Sequence, residues 1–220
     1  MPTVWFIRHA ESEANAGLPT AHPATIKLTP RGIEQANRVA QFIKHRPGLI
    51  VSSPYERAWQ TARPTFEQFA PVPYETWPVH EFTYLASPDT LTTASDRRPM
   101  VEAFWKRYDP LYVDGQDAES FVDFISRVRY VVKKLRQSKE DFIVVFSHEQ
   151  FICSIVWLLL NGKIDAETEV CADSMKRFRY FLKSFTMPNG SILPMQLQDD
   201  SETWFSSIIT SHLSEPYSST

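Results

Sequence analysis

The sequence predicts an α/β fold, a three-layer α/β/α sandwich with a mostly parallel central sheet. Three observations carry that prediction. Apolar runs rich in β-formers, "VWFI" (residues 4–7), "LIVSSP" (49–54) and "DFIVVFSH" (141–148), have the length of buried strands rather than helices. Stretches with helical spacing separate them, and strands alternating with helices imply parallel crossovers. Each run also ends abruptly in polar or cationic residues. Open α/β sheets bind their ligands beyond the carboxyl ends of the strands.

Residues 3–7 are the first strand, and residues 13–28 form a loop with Gly17, Pro19 and Pro23. "LTPRGIEQANRVAQFIKH" (28–45) opens a helix. Thr29 is a good N-cap, and Pro30 suits the first helical position. Ile33, Ala36, Val39, Ala40 and Ile43 fall at helical spacing, and Pro47 and Gly48 stop the helix. The second strand leads into a helix through about Phe69, and "PVPYETWP" (71–78) supplies a third strand. Residues 82–116 have no clear period and are interrupted by Pro88, Pro99 and Pro110. They read as an insertion with short helices, and insertions of such length are usually functional. "DAESFVDFISRVRYVVKKLRQ" (117–137) is an amphipathic helix burying Phe121, Phe124, Ile125, Val128, Val131, Val132 and Leu135. After the strand at 141–148, "EQFICSIVWLLLNG" (149–162) is a mostly apolar helix closed at Asn161 and Gly162. A polar helix follows near 172–183, then a turn at 189–191 and late strands in "SILPMQLQ" and "WFSSIIT". The last seven residues are rich in Ser, Pro and Tyr and read as frayed.

The chain of 220 residues reads as a single domain, 1–220, with the insertion at about 82–116. A net charge of -3 and a pI near 6.1 argue against a nucleic-acid binder. No apolar run approaches the ~20 residues of a membrane span, and no secretory signal is visible. Cys153 and Cys171 are the only cysteines, so no disulfide framework is indicated and a cytoplasmic location is expected.

The strand ends carry the chemistry. The first ends at Arg8 and His9. The second ends at Ser52 and Ser53, with Arg57 one turn into the next helix. The strand at 141–148 ends at His148. These groups converge on one sheet edge as a cationic pocket, and the arginine fork suits phosphate or carboxylate oxygens. The helix after His148 adds unsatisfied N–H groups. A phosphoryl group is the natural guest. A neutral histidine with one ring nitrogen tied to a carbonyl presents the other for attack on phosphorus. The leaving alkoxide then needs an acid on the opposite side.

"RHAES" (8–12) with Asn15 shortly after resembles the signature of the histidine phosphatase superfamily, the phosphoglycerate-mutase-like branch. "LTPRGIEQA" (28–36) resembles its L-T-x-x-G-x-x-Q-A helix opening, and "VSSPYERAWQTA" (51–62) its S-S-x-x-x-R-A-x-x-T-A segment. "AESFVDFISRV" (118–128) is similar to its G-E-S helix, and "VVFSHEQFI" (144–152) to its V-V-S-H-G-G strand end. "MPNGSI" (187–192) is similar to its late turn and strand. The blocks keep their order to about Ile192.

The resemblance implies a metal-independent phosphoric monoester hydrolase of the histidine-acid type, without cofactor. His9 would be the phosphorylated nucleophile, with Arg8, Asn15, Arg57 and His148 holding phosphate and Glu81 in "VHEFTYL" donating the proton. Glu102 and Asp89 are alternatives to Glu81, and Glu11 is expected to fix loop geometry. The implied partner is a small phosphorylated substrate, with a phosphate or sulfate ion suited to the pocket, and neither nucleic acid nor membrane. A phosphoglycerate mutase and a non-catalytic phosphate-binding protein are the competing readings. Phe82, Thr83, Tyr84 and Leu85 follow Glu81 where the mutases carry E-R-x-Y-G, and Glu149 stands where a Gly is common after the histidine. Arg97, Arg98 and "KRFR" (176–179) read as solvated charge, with a substrate-recognition role as the alternative.

Overall fold

The computed structural model describes residues 2–162, 164, 170–198 and 203–214. Among them, six strands form one sheet in the order β3-β2-β4-β1-β5-β6. The strands are β1 (Thr3–Arg8), β2 (Leu49–Ser52), β3 (Tyr74–Thr76), β4 (Phe142–Ser147), β5 (Ile192–Gln196) and β6 (Trp204–Phe205). β1 pairs parallel with β4, β4 with β2, and β2 with β3, while β5 and β6 are antiparallel additions at one edge. The mostly parallel sheet expected from the sequence is therefore present.

Side chains alternate across the pleat. Val4, Phe6, Leu49, Val51, Ile143 and Val145 join the core on one face, and Ile7, Ile50, Val144 and Phe146 the core on the other. Helices α1 (Pro30–Phe42) and α2 (Glu56–Phe69) cover the second face through Val39 and Ala62. Helices α3 (Ala94–Arg107), α4 (Phe121–Arg136), α5 (Glu149–Leu160) and α6 (Ala172–Ser184) supply the first core. This gives the three layers. No described helix is long and apolar enough to cross a membrane.

Thr29 caps α1 by accepting the Gly32 N–H at 3.0 Å, with Pro30 at the first turn. Ile33, expected on the buried face, is 54% exposed, and Gly32 is buried in its place. A Cβ at Gly32 would overlap the backbone carbonyl oxygen of Glu11. The helix can therefore approach the loop after β1 only through a glycine.

The insertion also departs from expectation, since α3 is one helix of 14 residues with Pro99 inside it. Proline there removes one ladder bond and crowds the carbonyl four residues back, yet the helix continues through it. The Thr93–Asp96 capping box starts the helix, and buried Phe104 and Trp105 anchor it. At α4 the helix begins at Phe121, not Asp117, with Ser120 as its cap. "KRFR" lies on α6, where Arg177 pairs with Asp173 at 2.6 Å and Arg179 stacks on Trp105 of α3. Within "WFSSIIT" only Trp204 and Phe205 form a strand, followed by a bridge from Ile209 to Ile192. The chain from residue 215 on, expected to fray, lies outside the described residues.

Candidate active site

Parallel register aligns the carboxyl ends of three strands. Arg8 of β1 faces Ser147 of β4, and Ser52 of β2 faces Phe146. The residues just beyond stay in register, because His9 N–H donates to the Ser147 carbonyl at 2.9 Å and Ser53 N–H to the Phe146 carbonyl at 3.0 Å. His9 and His148 are thus neighbours, with ring centroids 5.0 Å apart. They are 4% and 0% exposed.

Arg57, on the first turn of α2, joins them. Its Nε–H donates to His9 Nε2 at 3.1 Å and its Nη2 donates to His148 Nδ1 at 3.1 Å. A third donor, Nη1, reaches the Pro23 carbonyl at 2.6 Å. Guanidinium groups only donate, so these contacts fix both tautomers. His9 carries its proton on Nδ1 and gives it to the Ala10 carbonyl at 2.8 Å. His148 carries its proton on Nε2 and gives it to Ser53 Oγ at 2.8 Å. Burial, together with the Arg57 and Arg8 charges, holds His9 well below the usual imidazole range. Burial and Arg57 do the same to His148. Burial also lowers Arg57, to about 10, so it stays a cation at neutral pH.

Arg8 lies beside this cluster in a different setting. Its Nη1 meets Glu149 Oε2 at 3.1 Å and also the Met187 carbonyl. Its Nε is buried with no partner. Glu149 in turn accepts the Met187 N–H at 2.9 Å. The carboxylate that replaces the common glycine is therefore the counter-ion of Arg8. Asn15 is oriented by its side-chain oxygen, which accepts from Ser12 Oγ at 2.9 Å and from Asn189 Nδ2 at 3.0 Å. It sits in the loop after β1, linked to the cluster through Asn189, which also donates to the His9 carbonyl at 3.0 Å.

Glu81, from the segment after β3, lines a cavity that Arg57 also lines. Its Oε1 accepts the Gln150 N–H at the start of α5 at 2.9 Å. Burial raises its carboxyl above the usual carboxylate range, against the pull of Arg57 and Arg8. Glu81 and Arg57 line one cavity of about 210 Å³ together with Tyr55, Phe82 and Tyr84. The alternatives fall away from it. Glu102 pairs with Arg98 at 3.1 Å on the exposed face of α3, and Asp89 is exposed. Glu11 accepts from Thr29 Oγ1 at 2.9 Å and pairs with Arg31 at 3.1 Å, so it ties the loop to α1 as expected.

Residues 4–189 match the family model described as the histidine phosphatase superfamily, branch 1. The chain belongs to that superfamily. It is 28% identical over 166 residues to the adenosylcobalamin/alpha-ribazole phosphatase of Salmonella typhimurium, covering 72% of this chain and 79% of the relative. Among solved structures, a putative alpha-ribazole-5'-P phosphatase from Escherichia coli K-12 superposes with a TM-score of 0.70 at 22% identity, over 95% of this chain and 96% of that one. A phosphoserine phosphatase from Entamoeba histolytica, bound to phosphoserine, gives 0.70 at 22% identity over 97% of this chain and all (100%) of that one. These structures share the fold.

Several residues of this histidine phosphatase superfamily member support the site without having been assigned a role from sequence. Thr61 accepts the Ala10 N–H at 3.0 Å and donates to the Arg57 carbonyl at 2.7 Å. Arg127 of α4 donates to the carbonyls of Pro78 at 2.8 Å and His80 at 2.9 Å. It pairs with Glu119 through two nitrogens, at 2.5 and 3.1 Å. Glu119 accepts the Thr83 N–H at 3.1 Å. The segment carrying Glu81 is thereby fastened to α4. Thr61 and Glu119 both lie inside the quoted sequence blocks, so the signal was present but carried no geometry.

Proposed function

We propose that the protein hydrolyses phosphomonoesters without a metal, through a phosphohistidine on His9, with Glu81 as the proton donor. The observation that carries this reading is the tautomer of His9. With Nδ1–H committed to the Ala10 carbonyl, Nε2 points its lone pair into the arginine–histidine cluster.

A phosphoryl group entering the cluster takes Arg57 Nε–H away from His9 Nε2 and onto its own oxygens. Nε2 then attacks phosphorus as the P–O bond to the alcohol breaks. Arg8, Arg57 and His148 offset the charge on the equatorial oxygens, and Asn15 adds a contact at the rim. The phosphate dianion raises the proton affinity of His148, so Nδ1 can become a donor while Nε2 keeps Ser53. Glu81 gives its proton to the leaving oxygen. Its carboxylate then takes a proton from water, which displaces phosphate from His9 and restores the resting state.

The single domain 1–220 carries this chemistry, with the insertion at 82–116 reading the alcohol. The mutase reading is less well supported, because Phe82, Thr83, Tyr84 and Leu85 follow Glu81 where the mutases carry E-R-x-Y-G, so the arginine of that stretch is missing. Phosphate release from a panel of phosphoesters tests the proposal, with His9→Ala as control. Release by the wild type and none by folded His9→Ala is expected. Wild-type turnover in His9→Ala overturns it.

A further inference from the structure

The cavity beside Glu81 carries more information about the alcohol than the phosphate cluster does. Its walls are largely apolar and aromatic, with Ile26, Phe82, Tyr84 and Leu85 around Glu81. At about 210 Å³ it is small beside the ~300–1,000 Å³ of common ligand pockets. Besides Arg57, one more cation lines it, Arg97.

Arg97 and its neighbour Arg98 differ. Arg98 is exposed and pairs with Glu102 one turn on, at 3.1 Å. Arg97 is half-buried in the first turns of α3, among exposed neighbours. Its Nη1 donates to the Thr92 carbonyl at 2.7 Å and Thr92 Oγ1 at 2.9 Å. These are neutral oxygens. Among the described residues no carboxylate lies within ion-pair distance of Arg97. The Thr20–Thr92 bridge, closed by two backbone bonds of 2.9 Å, holds this corner in place. The Asp96 carboxylate, held by Thr93, feels the Arg97 charge without pairing with it, so this guanidinium on the wall of a small apolar cavity is suited to an anion.

We propose that the substrate is a small phosphomonoester whose alcohol combines a compact apolar body with a carboxylate, and that Arg97 binds the carboxylate. This rests on the hydrolase reading. The apolar body fills the space between Phe82, Tyr84 and Leu85 while Glu81 faces the ester oxygen. Because Arg57 and Arg97 line the same cavity, one small molecule can meet both.

The test compares kcat/KM for para-carboxybenzyl phosphate, para-carbamoylbenzyl phosphate, benzyl phosphate and beta-glycerol phosphate. The para-carboxy and para-carbamoyl esters have matched shape and differ in charge. The expected preference for carboxylate over amide is about tenfold, the scale of one charge-assisted hydrogen bond. Benzyl phosphate should exceed beta-glycerol phosphate. Arg97→Gln should bring the carboxylate-to-amide ratio close to one, and Arg98→Gln should leave it unchanged. The ratio is internal to each variant, so incomplete folding does not distort it. A ratio near one in the wild type, or one that survives Arg97→Gln, overturns the assignment. Equal turnover of benzyl and beta-glycerol phosphate overturns the apolar body. Calorimetry with para-carboxybenzylphosphonate separates the two levels. Arg97-dependent binding with no ester hydrolysed sinks the hydrolase reading and keeps the pocket, while absence of both sinks the two together.

Discussion

The proposed phosphate side of the pocket and its proposed leaving-group side are held by different means. On the phosphate side, His9 and His148 follow directly from β1 and β4, and backbone bonds set their positions. Arg57 then links them through its fork. On the leaving-group side, Glu81 lies in an irregular segment after β3. That segment is fixed by side chains from elsewhere, chiefly Arg127 with its partner Glu119, and by Ser147 Oγ donating to the Val79 carbonyl at 2.6 Å. A ladder distributes its constraint over many bonds. A side-chain clamp concentrates it in one or two residues, so the placement of Glu81 is the more fragile half.

The contrast can be broken at the proposed nucleophile first. His9→Ala should lower kcat by roughly 10,000-fold or more, as removal of a covalent nucleophile does. Circular dichroism should be unchanged, because the ladder does not depend on the imidazole. Glu81→Gln comes next, with a loss of about 100- to 10,000-fold on alkyl phosphates. The loss should shrink on para-nitrophenyl phosphate, whose leaving group needs no proton. Equal losses on both substrates would remove Glu81 from the acid role.

The pH profile separates the same two halves. In the proposed reaction His9 must be neutral to attack, and its lowered proton affinity keeps it so into mildly acidic solution. Activity on that limb therefore falls only as pH drops below the usual imidazole range. Glu81 must be protonated to donate, and its raised proton affinity extends that form upward from the usual carboxylate range. Activity falls as pH rises through it. On one substrate, Glu81→Gln should abolish this alkaline limb and retain the acidic one. An alkaline limb persisting in the variant would assign it to another group.

How much of this was legible in the sequence follows from the same division. Arg8, His9, Arg57 and His148 each sit at or just past the end of a regular element, so pattern alone placed them together. Glu81 follows no element with a period, and only the superfamily resemblance pointed to it. Arg127 showed as a residue of an amphipathic helix, since its contacts at Pro78 and His80 are 49 and 47 positions away. Ile33 was expected in the core because spacing rules count apolar side chains. They cannot register that α1 touches the loop after β1 through the missing side chain of Gly32. Likewise Pro99 made the insertion look broken, although capping and two buried aromatics carry α3 across it.

Two smaller effects sharpen the comparison. Arg127→Met should lower turnover of alkyl phosphates about tenfold and of para-nitrophenyl phosphate less, because its influence runs through Glu81. A uniform loss on both would mean that the clamp serves the fold alone. Glu149→Gln should have the mildest effect, since the pair with Arg8 is partly open to solvent. Freed of its counter-ion, Arg8 should hold inorganic phosphate about two- to fivefold more tightly, read as a lower inhibition constant. Weaker phosphate inhibition would show instead that Glu149 steers Arg8 toward phosphate.

The turn before β5 has a consequence in time. Gly190 N–H donates to the carbonyls of Arg8 and His9 at 3.1 and 3.2 Å, and Arg8 N–H donates to the Ser191 carbonyl at 3.1 Å. His9, the proposed nucleophile, thus leaves the ribosome some 180 residues before its backbone anchors in this turn. At about 5–20 residues per second, that gap lasts roughly 10–40 s. A nascent chain can assemble β1, β2 and β4 during that interval and still lack this turn's hold on the backbone of Arg8 and His9. Catalytic competence should appear as a late, abrupt event in synthesis.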